Sequence, residues 1–180
     1  QGHFQNWNSR CAECHSTDLR KNYDPESNSY DSQWSEIDVA CEACHGPGSD
    51  HITLAHQGAV KTEDTGLVSI GKRTPWLFVE GDSIAHPQRD VDESEIDICG
   101  GCHSRRLPVA THVPGAAYHD ENIIRLLSPG LYFPDGQIED EVFVLGSFLQ
   151  SKMYQQGVRC TDCHNPHSGE VKIPGNNLCS

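Results

Sequence analysis

The sequence predicts a chain that is mostly coil, with short α-helices and little strand, folded around something besides its own side chains. Three observations carry this. Hydrophobic residues are 36% of the 180, and nine of them are cysteines. With glycine counted and tyrosine left out, the apolar share is about 42%, against ~45–50% in an ordinary globular domain. Long stretches have no apolar periodicity. Nine cysteines also stand beside eleven histidines, a pairing that points to chemistry.

The elements read in order as follows. Residues 16–33 are polar and rich in Ser, Asn and Asp, a loop pattern. Ser49 is placed to N-cap a helix through Gln57. Residues 58–95 carry Gly58, Gly66, Gly71, Pro75, Gly81 and Pro87 and read as a long irregular connector, with a short strand at Trp76-Leu77-Phe78-Val79. A helix is expected from about Asp92 to Ser104. Another is headed by His119, with Ile123 and Leu126 on its face. Leu131 to Ile138 reads as two extended pieces around a turn at Pro134-Asp135-Gly136. The clearest helix runs from about Glu139 to Gln156, with Val142, Leu145, Leu149 and Met153 on one face and Gly157 ending it.

Charge and hydropathy exclude some functions. Lys plus Arg is 13 and Asp plus Glu is 26, a net charge of −13. Nucleic acid and anionic membrane surfaces both call for a positive footprint. No run of ~18 apolar residues is present, so no transmembrane segment is expected.

Eight cysteines form four CxxC pairs: Cys11 with Cys14, Cys41 with Cys44, Cys99 with Cys102, and Cys160 with Cys163. Each pair is followed at once by a histidine: His15, His45, His103 and His164. CxxCH is the attachment motif for c-type haem. Two thiols add to the two vinyl groups on one porphyrin edge, and the next residue offers its imidazole to the iron. Disulfides would explain the cysteines in a secreted chain, but not a histidine after every pair. Two Cys₄ zinc centres would leave the histidines over, and a thioredoxin-like motif needs a βαβ context that is absent. Four covalently attached haems c follow, and they account for the thin core. The motif starts lie 30, 58 and 61 residues apart, a loose succession of haem modules rather than a fixed repeat. Covalent attachment takes place outside the cytoplasm, so a periplasmic or extracellular location is expected. Asn176 to Ser180 reads as the opening of a fifth motif at Cys179. Residues 1–180 are therefore read as a single multihaem domain, a fragment of a longer chain.

Seven histidines remain: His3, His51, His56, His86, His112, His119 and His167. Bis-histidine ligation of four haems needs four of them. His167, in Cys163-His164-Asn165-Pro166-His167, cannot reach the far side of its own haem, because three residues span at most ~10 Å. It must serve a neighbouring haem and draw the two together. His51, beyond the reversal at Gly46-Pro47-Gly48, is under the same constraint. His119 is the third candidate, and the fourth lies among His3, His56, His86, His112 or a group outside the chain. Met153 fits a core position better than an axial ligand. Arg105 and Arg106 follow the third motif, where they would either pair with haem propionates or form a solvated basic turn.

These residues resemble a known group. The stretches are Phe4-Gln5-Asn6-Trp7-Asn8 before Cys11 to Thr17, then Cys41 to His51, and Cys99 to Arg106. Asp135 to Ile138, Gly146 to Met153 and Cys160 to Ser168 complete them. The chain is similar, over nearly its whole length, to bacterial multihaem cytochromes of the c-554 type, often followed by tetratricopeptide repeats. The resemblance implies a multihaem cytochrome c fold with closely stacked haems, and an electron-transfer role in the periplasm or outside the cell. It also implies that His51 of CHGPGSxH and His167 of CHxPH are distal ligands, and that haem motifs lie on both sides of the stretch. No tetratricopeptide segment is present, a departure from that pattern.

The leading expectation is electron transport through a chain of haems. Six-coordinate, low-spin iron exchanges electrons without binding substrate. The expected partners are redox proteins with basic docking surfaces. One version is an extracellular filament of stacked haems, in which a histidine such as His3 ligates iron in the next subunit. The alternative is a multihaem oxidoreductase acting on a small nitrogen or sulfur compound at a haem with an open axial site, with Arg105, Arg106, Tyr118 or Tyr132 nearby.

Overall fold

The computed structural model describes residues 6–71, 74–88, 90–125 and 127–179, with Leu178 and Cys179 described by backbone alone. His3 and Leu126 lie outside the described residues. Helix makes up 28% and strand 17%, the rest being mostly coil. The chain divides into two compact units, one comprising the sequence up to Ser69 with Val113–Gly115, the other Ile70–His112 with the sequence from Ala116 onward.

In the first unit a single π-helical turn, Trp7–Cys11, is capped by Asn6, whose Oδ1 accepts from Ser9 N at 3.1 Å. The polar stretch after it is not a loop. It forms an antiparallel ribbon, with bridges Thr17↔Glu36 and Arg20↔Gln33 leading into β1 (Tyr23–Asp24) and β2 (Ser29–Tyr30). Cross-strand side-chain pairs stabilise such ribbons, and here the Tyr23 and Tyr30 rings stand 4.8 Å apart. Asn22 and Asn28 supply left-handed positions, which asparagine tolerates better than most residues. Two helices follow, α1 (Glu42–His45) and α2 (Ser49–His56). Gly48, not Ser49, is the cap of α2, and its N–H is held by Glu42 Oε1 at 2.7 Å. Gly58 at φ 63 closes α2, with Gly58 N bonded to Ala55 O and Ala59 N to Leu54 O, a Schellman ending.

The second unit opens with the hairpin β3 (Trp76–Phe78) and β4 (Ala85–Pro87), so the strand expected at Trp76 is present within the connector. Helix α3 (Ser94–His103) matches expectation closely. Strand β5 (Arg106–Pro108) pairs with β6 (Asn122–Ile124), and between them lies α4 (Tyr118–Glu121). The helix expected from His119 is therefore one turn long, and Ile123 belongs to a strand. The turn at Pro134 to Gly136 is present, closed by a Tyr132↔Ile138 bridge with Gly136 at φ 86.

The long helix expected over residues 139–156 is replaced by two short ones, α5 (Leu145–Leu149) and α6 (Lys152–Gln155). The carbonyl of Val142 accepts from Arg105 N at 3.0 Å, and Phe143 turns to φ 59. A tertiary hydrogen bond thus takes the carbonyl a helix would use. Ser151 then interrupts the second half by capping α6, accepting from Tyr154 N at 3.1 Å. Met153 is consequently 54% exposed while Val142 is fully buried. Helix α7 (Cys160–Cys163) and the ribbon of β7 (His164–Asn165) with β8 (Glu170–Val171) complete the unit. Its core is Ile96, Tyr118 and Leu145, with Ile124, Phe148, Leu149, Tyr154 and Cys160 packed around.

Candidate haem sites

Each Cys-x-x-Cys-His sits on or beside a helical turn. In the first motif the two thiols are divided between elements. Cys11 ends the π-turn, whereas Cys14 lies beyond it in an ordinary turn, closed by Cys14 N on Cys11 O at 3.1 Å. His15 N returns to the same Cys11 carbonyl, also at 3.1 Å, so Cys14 and His15 are both fixed from Cys11. Cys41 leads into α1, with His45 N bonded to Cys41 O at 2.9 Å. Cys99, Cys102 and His103 form the last turn of α3, and Cys160 and Cys163 bound α7 with His164 next. Residues three apart on a helical turn share a face, so the pairs at α1, α3 and α7 each lie on one side of their turn with a histidine directly after. That is the arrangement two vinyl additions and one axial bond require. The eight cysteines are thiols rather than disulfides among the described residues, and seven of them, Cys14 included, are half-buried, Cys41 being exposed.

The second motif is the most completely mounted. Gly46, at φ 67, turns the chain after His45, and a Cβ there would lie 2.9 Å from Val68 Cγ2 and 3.0 Å from Pro114. Val68 N donates to His45 O at 2.9 Å. Three residues earlier, Thr65 O lies 2.7 Å from His51 Nδ1. Gly66 permits this approach, because a Cβ on it would stand 2.7 Å from His51 N. One short strap, Thr65 to Val68, therefore holds the histidine of the motif and the candidate distal histidine together. Burial pushes the Cys44 thiol up, and neighbouring Cys41 adds to the shift.

The third and fourth motifs are joined through α3 and α7. Gly100 brings Tyr118 and Leu145 onto α3 between the two cysteines, since a Cβ would meet Tyr118 Cδ2 at 2.8 Å. Glu95, 8% exposed, accepts from Thr161 N at 2.8 Å and from Thr161 Oγ1 at 2.6 Å. Arg159, also buried, donates to Glu93 Oε1 at 2.5 Å and to Asp92 O at 3.2 Å, while its own N–H goes to Asp162 Oδ2 at 2.8 Å. A hydrogen bond from the Cys99 thiol lowers the Cys160 thiol against the opposing effect of burial. These cysteines of different motifs are in contact.

Of the other candidates, His119 stands edge-on to the Tyr118 ring at 5.0 Å, and His167 N donates to Asn165 Oδ1 at 3.0 Å. His112 Nδ1 lies 2.8 Å from Glu121 Oε2, and His86 Nε2 lies 2.7 Å from Asp82 Oδ2. The two arginines after the third motif have protein partners, Arg105 on Asp140 at 3.1 Å and Arg106 on Asn122 at 3.0 Å. Sequence reasoning missed Thr65, Gly66, Glu95 and Glu121. Only Gly66, a glycine within reach of a motif, carries any signal in the sequence.

The donor set fits haem better than zinc. Among the described residues no three of His, Cys, Asp or Glu converge as a zinc centre needs. Haem iron takes four ligands from the porphyrin and asks the protein for two. Residues 2–46 match the family described as Cytochrome c554 and c-prime. The matched stretch is about a quarter of the chain. The match supports a c-type cytochrome with haem c as its cofactor. It spans the first two motifs and ends one residue beyond His45. No curated protein and no solved structure matches the chain. Among the described residues no helix is long and apolar enough to cross a membrane.

Proposed function

We propose that this chain is a c554-type cytochrome that transfers electrons through four covalently attached haems c. The attachment pairs are Cys11 with Cys14, Cys41 with Cys44, Cys99 with Cys102, and Cys160 with Cys163. His15, His45, His103 and His164 are the proximal ligands, and His51, His119 and His167 are distal ligands. The observation that carries the reading is the repeated geometry: every cysteine pair lies about a helical turn with its histidine next. The apolar surface agrees with it. Among the described residues only Ala12, Ile96, Tyr118, Tyr132, Val142 and Leu145 are buried hydrophobics, whereas Trp34, Ile37, Phe78 and Phe133 are among many left exposed. Porphyrin faces are the natural cover for such residues.

Haem supplies one-electron exchange at iron. The chain's part is to fix the orientation of its imidazoles. His51 illustrates it, since a carbonyl at Nδ1 sets the tautomer that leaves Nε2 for metal. The setting is the periplasm or the outside of the cell, and redox proteins with basic docking surfaces suit a chain of net charge −13. Association in a filament is a further form of the same role. The visible spectrum of the purified, haem-loaded chain tests this. Split low-spin bands that cyanide and nitrite leave unmoved are expected. A high-spin charge-transfer band that shifts with either ligand would favour the oxidoreductase, and the absence of a Soret band would refute haem altogether.

A further inference from the structure

We infer that His112 is a distal haem-iron ligand, held in its ligating tautomer by Glu121 as a positioning residue. The inference rests on the haem-bearing reading above and names the distal histidine that reading leaves open. Three observations lead to it.

The first is the hydrogen bond and its two environments. His112 Nδ1 stands 2.8 Å from Glu121 Oε2, with the Glu121 side chain 8% exposed and that of His112 61% exposed. A carboxylate so deeply placed is costly without a donor, and His112 supplies one from Nδ1. Nε2 takes no part in that bond, and the side chain as a whole is largely exposed.

The second is the form of the contact. A histidine that binds metal commonly donates its other ring N–H to a carboxylate or a backbone carbonyl, which fixes the tautomer and strengthens the ligand. His51 shows the carbonyl version on Thr65, and His112 shows the carboxylate version. His86 provides the contrast, because the nitrogen it commits to Asp82 is Nε2.

The third is how the loop is tied. Val109 N donates to Glu121 O at 2.8 Å, so the residue that orients the ring also anchors the loop bearing it. Glu121 itself closes α4 before β6. Ring and loop are thus fixed from one point, as a ligand on an irregular segment must be.

The test uses the full chain, haem-loaded in a periplasmic expression host, with His112→Ala, His112→Met and Glu121→Gln variants. In His112→Ala the haem count per chain stays as in the parent. One haem's worth of iron turns high-spin by electron paramagnetic resonance, and added imidazole restores it. In His112→Met the chain keeps its low-spin iron while one haem moves to a higher potential, a readout that persists if the alanine variant folds poorly. Glu121→Gln shifts the potential of that same single haem and leaves all iron low-spin. Unchanged spin state and potentials in both His112 variants overturn the inference, and an unchanged potential in Glu121→Gln overturns the positioning role. A parent chain without covalent haem refutes the underlying reading itself, a result separate from either of these.

Discussion

Gly66 has no chemistry of its own, yet the His51 contact depends on it. At φ +68, a Cβ there would stand 2.7 Å from His51 N and 2.8 Å from Asp50 C, both backbone atoms that cannot swing aside. Gly66→Ala should therefore push the Thr65 carbonyl off His51 Nδ1 and unseat the imidazole. The expected result is a fraction of high-spin iron that the parent lacks, with the haem count preserved. An unchanged low-spin spectrum would separate the strap from ligation. Gly100 is the same argument in a helix, where a methyl group would drive into the Tyr118 ring and Leu145. Overpacking of this kind costs about 1–3 kcal/mol. At both positions the smallest residue marks a close approach between packed segments.

Among the elements, α3 does the most to organise the second unit, and three tyrosines report on its surroundings. Burial raises the phenols of Tyr118, Tyr132 and Tyr154 above their ordinary value of 10.0. An acid whose folded pKa is raised holds its proton longer in the folded state. Its stabilisation is complete below about pH 10 and is lost as pH climbs through the folded value. Denaturant midpoints followed into the alkaline range should thus hold steady and then fall above about pH 10, and a Tyr118→Phe variant should fall less steeply. A profile with no alkaline loss would contradict the burial of these rings. The elements also show what is legible in sequence. Helix α3 and the strand at Trp76 are readable because local pattern and tertiary packing agree there. The helix expected over residues 139–156 fails because a backbone bond from Arg105 to Val142, 37 positions apart in sequence, outweighs local periodicity. The polar ribbon of β1 and β2 reads as loop for the converse reason, since a tyrosine pair and left-handed asparagines make strands without an apolar alternation. Cysteine pairs and their histidines are plain from spacing alone. Their supports, Thr65, Glu95 and Glu121, are not, because each acts across 14 residues, 66 residues or a loop.

For the whole molecule the governing fact is how little apolar surface the polypeptide covers by itself. With six buried hydrophobic side chains among the described residues, the chain made without haem attachment should be loosely packed. Near-ultraviolet circular dichroism should be weak, a hydrophobic dye should bind, and thermal unfolding should be broad, all of which mark a compact state without fixed packing. Haem-loaded protein should unfold sharply by comparison, and equal cooperativity in the two forms would show that polypeptide contacts suffice. Covalent connectivity has a separate consequence. The first unit takes in Val113–Gly115 from the middle of the sequence that otherwise builds the second, and Pro114 lies against Gly46, where the second motif turns. The backbone therefore passes between the units three times: after Ser69, after His112 and after Gly115. A protease nicking the chain between Ser69 and Ile70 would release the sequence up to Ser69 as a separate fragment and leave Val113–Gly115 of the same unit on the other one. A gene truncated there would lose the wedge behind Gly46, so the first unit is not obtained whole by cutting the chain once.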